Sequence, residues 1–181
     1  MTWRYGAFEL DPTISLEGVD ARTYLEAKYD AASVAAIHRR LAEALAVEGL
    51  PFRDLAAQGR RPNTFAAHRL LTAALADGAV EQQALADGLF RAYWADGADI
   101  GQHDVLVDIA RGAGMATDRA HDALTGGQFA AAAREEERQA HEAGIRAVPT
   151  FVIGGRFTVT GAQPPAALVQ AVRKAFAAAE S

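Results

Sequence analysis

Residues 144–165 read Gly144-Ile145-Arg146-Ala147-Val148-Pro149-Thr150-Phe151-Val152-Ile153-Gly154-Gly155-Arg156-Phe157-Thr158-Val159-Thr160-Gly161-Ala162-Gln163-Pro164-Pro165. Phe151-Val152-Ile153 is a short run with strong strand preference. Gly154-Gly155 is a two-residue hairpin signal, and residues 156–160 supply the returning strand. Gly161-Ala162-Gln163 turns the chain, and Pro164 and Pro165 suit a helix start. Residues 166–178 then predict an amphipathic final helix. Pro149, at the least, ends a loop and opens the first strand.

Upstream of this hairpin the period changes from two to between three and four. Over 21–47, Tyr24, Leu25, Tyr29, Val34, Ile37, Leu41 and Leu45 recur at helical spacing. Asp30 can cap a second helix after a break near Tyr29, and Gly49 with Pro51 ends the region. Residues 62–94 read as a helical hairpin. Asn63 or Thr64 caps its first helix, Leu70, Leu71 and Leu75 form its buried face, and Asp77-Gly78 closes it. Leu85, Leu89, Phe90 and Tyr93 lie on the second helix. Further helices are predicted near 102–112, 117–124 and 128–143. At the other end, residues 3–10 are aromatic-rich and loosely alternating before Asp11-Pro12, which predicts a short strand running into a turn. A largely helical block therefore sits between the strands of an α/β frame.

Composition narrows the function. The 181 residues are half hydrophobic and 23% charged, the profile of a folded globular chain. A net charge of −5, with only short basic clusters at His38-Arg39-Arg40 and Arg60-Arg61, argues against nucleic acid as partner. No run approaches the roughly 20 apolar residues that span a bilayer, and residues 1–5 carry no apolar signal core, so the expectation is a cytoplasmic protein with no membrane partner. Cysteine is absent. That excludes structural disulfides, thiolate nucleophiles, Cys-ligated zinc and a CxxC pair within these residues.

Other clusters carry little chemistry. The histidines at 38, 68, 103, 121 and 141 include no pair at the i, i+4 spacing of a helical metal site, and no HExxH occurs. No metal and no cofactor is expected. Arg134-Glu135-Glu136-Glu137-Arg138 spreads around more than half of a helix and reads as a solvated, ion-paired face. No serine sits in a nucleophile-elbow context.

The order of elements resembles a thioredoxin-like fold with a large helical insertion. The 144–155 run and Thr160-Gly161-Ala162-Gln163-Pro164 resemble the cis-proline loop and hairpin of the FrnE-like branch of the DsbA family. Phe8-Glu9-Leu10-Asp11-Pro12, Asn63-Thr64 with Ala67-His68-Arg69-Leu70, and Leu89-Phe90-Arg91-Ala92-Tyr93 resemble other parts of that branch. The resemblance runs from about residue 3 to residue 176. It implies one domain over 1–181, with strand and turn over 1–20, helical insertion over 21–143, and cis-proline loop, hairpin and helix over 144–181. It further implies thiol–disulfide exchange with protein or peptide substrates. Val148, Pro149 and Thr150 would form the substrate-binding edge, with His68 and Phe8 as further candidates.

The chain departs from the family at its start. Members begin with a strand and a CxxC-bearing helix ahead of the strand that holds Phe8 here, and a βα unit of that kind cannot fit into five residues. The first βα unit is thus expected to be missing. As written, the chain should be redox-inactive, with no catalytic residue of its own. The unit would lie upstream in the natural protein, or a homodimer would complete the sheet. The alternatives are a non-catalytic peptide-binding module on the same scaffold and, third, a glutathione-dependent isomerase of the 2-hydroxychromene-2-carboxylate isomerase type.

Overall fold

The protein is described by a computed structural model covering residues 2–54 and 59–178. Two aspartates set the first helices. Asp20 Oδ1 accepts the Thr23 N–H at 2.8 Å to start α1 (Ala21–Lys28), and Asp30 Oδ1 accepts the Ser33 N–H at 2.9 Å to start α2 (Ala31–Val47). The break falls at Tyr29, where the capping pattern puts it. A two-residue antiparallel ladder joins β1 (Val19–Asp20) to β2 (Arg60–Arg61). Gly18 makes the approach, with φ of 72°; a Cβ there would lie 2.8 Å from the Arg61 carbonyl oxygen.

The expected hairpin forms from α3 (Phe65–Asp77) and α4 (Ala79–Arg91), followed by a π-helical turn at Ala92–Asp96. Asn63 anchors its start: Oδ1 accepts the Phe65 N–H and Nδ2 donates to the Ile14 carbonyl. Three more helices follow, α5 (His103–Gly112), α6 (Thr117–Thr125) and α7 (Gly127–Glu142). Leu70, Leu85, Leu106 and Leu124 fill the core between α3, α4, α5 and α6, and Ala73, Ala74, Ala110, Ala120 and Ala123 let those helices approach closely.

The strand expected over residues 3–10 does not form. The segment is extended, yet among the described residues it joins no ladder. A strand exists only through its neighbour, and here side chains take the neighbour's place. The N–H groups of Tyr5, Ala7 and Glu9 donate to Gln82, Glu136 and Glu137.

The chain divides into two compact units, residues 1–137 and 138–181. In the second, β3 (Thr150–Ile153) pairs antiparallel with β4 (Phe157–Thr160), Thr150 opposite Thr160 and Ile153 opposite Phe157. The connection is one residue longer than the glycine pair suggested. Gly154 and Gly155 take φ of 59° and 69°, and Arg156 closes the turn by donating its N–H to the Ile153 carbonyl at 3.2 Å. The last helix, α8 (Pro165–Ala177), begins on the predicted proline. Among the described residues, no helix is long and apolar enough to cross a membrane.

Candidate functional site

Val148, Pro149 and Thr150 lie in the second unit, where the loop after α7 enters β3. The Val148–Pro149 peptide bond is cis. Hydrogen bonds pin the loop at both ends. The Thr150 hydroxyl donates to the Ala147 carbonyl at 2.6 Å, and the Gly161 N–H donates to the Pro149 carbonyl at 2.8 Å. Arg146 fixes the approach, its Nη1 donating to the His141 and Ile145 carbonyls. Val148 is 46% exposed, Pro149 is exposed and Thr150 is half-buried. Among the described residues β3 has β4 as its sole ladder partner. The loop holds no thiol, carboxylate or imidazole. What it offers is a fixed main-chain edge beside small apolar side chains, the chemistry of strand addition rather than of bond cleavage.

Phe8 and His68 lie together in the first unit, the imidazole against the Phe8 carbonyl and the Glu9 carboxylate. His68 is half-buried, but its Nδ1 is sealed from solvent and has no hydrogen-bond partner. Burial pushes its pKa below the ordinary imidazole value; Glu9 and the Phe8 backbone pull it up, and Arg134 adds to the lowering. Arg134 Nη1 donates to both Glu9 Oε2 and Glu137 Oε2, and its guanidinium lies over the Phe65 ring, 3.5 Å from the centroid.

This corrects the solvated-face reading of Arg134–Arg138. Glu137 and its partner Glu9 are both buried. Segment 3–10 packs there, and its N–H groups need acceptors that water cannot reach. Gln82 was missed altogether. Its side chain is fully buried, and it meets Tyr5 across 77 residues of sequence, so no local pattern marks it.

The first unit also carries a groove of about 240 Å³, lined by Leu10, Tyr24, Leu25, Tyr29, Val34 and Ile37 among others. It runs along α2, a helix with no buried residue. Among the described residues, no three His, Cys, Asp or Glu side chains stand where they could share a metal ion.

A profile of DSBA-like thioredoxin domains matches residues 1–173. A solved structure from Streptomyces coelicolor, described as a probable DsbA oxidoreductase, is 31% identical with a TM-score of 0.83. The match covers 94% of this chain and 73% of that one. Another, from Nitrosomonas europaea and described as a protein disulfide isomerase, is 18% identical with a TM-score of 0.65, over 80% of this chain and 72% of that one. At that identity the likeness shows the fold alone. No curated protein matches the chain.

Proposed function

The chain belongs to the family of DSBA-like thioredoxin domains, and from that premise we propose that it is the substrate-facing part of a FrnE-like thiol–disulfide oxidoreductase. Its substrates would be extended protein or peptide segments bearing a thiol or disulfide. The observation that carries this reading is the Val148–Thr150 edge, largely exposed and pinned by hydrogen bonds at the start of a strand with a single ladder partner among the described residues. An extended segment laid along such an edge gains main-chain hydrogen bonds that are indifferent to its sequence.

The exchange itself needs a thiolate to attack a disulfide sulfur, forming a mixed disulfide and releasing the second sulfur as thiolate. The sequence supplies no cysteine. In this reading the dithiol comes from polypeptide beyond these 181 residues. Three observations support that. The match to the Streptomyces structure leaves about a quarter of that chain without a counterpart. Segment 3–10 is extended without a ladder, and α2 buries none of its residues.

The lack of cysteine favours a second reading, a non-catalytic peptide-binding module. Intact mass of the protein purified from its source, with thiol titration, separates the two. A mass several kilodaltons above 19.2 kDa with two titratable thiols is the expected result. A mass equal to these residues with no thiol would end the oxidoreductase reading and leave the binding module.

A further inference from the structure

Side chains hold segment 3–10 at the alternate residues Tyr5, Ala7 and Glu9. The Tyr5 N–H donates to Gln82 Oε1 at 2.8 Å, the Ala7 N–H to Glu136 Oε2 at 2.9 Å, and the Glu9 N–H to Glu137 Oε1 at 3.3 Å. Two of these acceptors are carboxylates on α7. Arg134, on the same helix, binds the side chains of both Glu9 and Glu137. From α3, His68 closes the cluster against Phe8 and Glu9. Two of its buried polar atoms, Glu9 Oε1 and His68 Nδ1, have no hydrogen-bond partner. Polar atoms buried without a partner are poised to rearrange when a proton arrives.

We propose that Glu9, His68, Arg134 and Glu137 form a proton-operated clasp, which fastens residues 7–9 to α3 and α7 while His68 is neutral and opens when His68 is protonated. The inference is independent of any thiol chemistry. The charged groups facing the imidazole are Glu9 from the segment and Arg134 from α7, with Glu137 tied to Arg134. Glu9 and the Phe8 carbonyl favour an imidazolium. Burial, the largest influence, and Arg134 oppose it, and the balance lies below the ordinary value. The folded group therefore sheds its proton more readily than the unfolded one. Its contribution is complete above the unfolded value of about 6.5 and is lost as pH falls through the folded value.

Amide exchange followed by NMR between about pH 7.5 and about pH 5.5 brackets that unfolded value and tests the clasp. Protection of the Ala7 and Glu9 amides is expected to fall over this range, by at most about tenfold, the ceiling that one proton sets. The Tyr5 amide, held by the non-titrating Gln82, and the core amides of Leu70 and Leu106 should keep theirs. In His68→Asn the fall should vanish. In the unaltered protein, the Ala7 and Glu9 amide shifts should titrate with the midpoint of the His68 imidazole, which decides the matter alone if the variant does not fold. The clasp is refuted if His68→Asn keeps the fall, if the midpoints differ, or if core amides lose protection equally.

Discussion

Both ends of the buried Gln82 carboxamide are engaged, Oε1 by the Tyr5 N–H and Nε2 by the carbonyls of Tyr5 and Leu71. It thus offers Tyr5 the paired donor and acceptor that an adjacent strand would. Removing it strands the Tyr5 N–H and carbonyl in a place water reaches poorly, at about 1–3 kcal/mol for each left unsatisfied, while the Leu71 carbonyl keeps its partner within α3. Partial solvent entry lowers the sum, so Gln82→Ala should cost about 2–3 kcal/mol in urea unfolding. Gln82→Met keeps most of the volume but not the hydrogen bonds, and should cost nearly as much. If Gln82→Met is neutral, the side chain only fills space and segment 3–10 is held by something else.

Among the elements, α2 and α3 make the sharpest contrast. Leu70 on α3 is fully buried, whereas Ile37 on α2 is 44% exposed. In this chain Leu70→Ala should cost about 2–5 kcal/mol, and Ile37→Lys no more than about 0.5 kcal/mol. Repeating Ile37→Lys in the protein from its source tests whether further polypeptide covers α2. A cost of about 2 kcal/mol there would mark a face that is buried in the longer protein; the same small cost would mean that α2 is solvated in both. The helices were legible because their signals are local: Asp30 caps within three residues, and Pro165 opens α8. The Val148–Thr150 loop runs straight into β3, whose β-preferring residues and glycine turn are equally local signals. Segment 3–10 was misread as a strand because alternation reports a buried face and says nothing of what lies beside it. The ladder at Arg60–Arg61 had no apolar signal to find. The clasp joins residues up to 128 positions apart, a distance at which a single sequence carries no pairing information.

For the molecule as a whole, the two compact units differ in how much apolar surface each hides. The first has the leucine and alanine core of α3 to α6. Among its described residues, the second buries only Ile153 and Ala175 of its hydrophobic side chains, and its sheet is one hairpin of four-residue strands. A two-stranded hairpin is marginal by itself in water. Opening free energies within one protein range from about zero to the global value, and the lowest belong to regions with few buried apolar contacts. Native-state hydrogen exchange should therefore show β3, β4 and α8 opening well below the free energy of α3 to α6, with no sharing of a single cooperative unfolding. A ligand that binds only the closed hairpin stabilises it by mass action, by about 2.7 kcal/mol at a hundred times its Kd. An extended peptide that adds to β3 should raise protection at Thr150 and Val152 first and leave Leu106 unchanged. Uniform protection across both units before any peptide is added would mean that the hairpin is already braced, and a peptide that adds no protection at Thr150 and Val152 would mean that β3 takes no added strand.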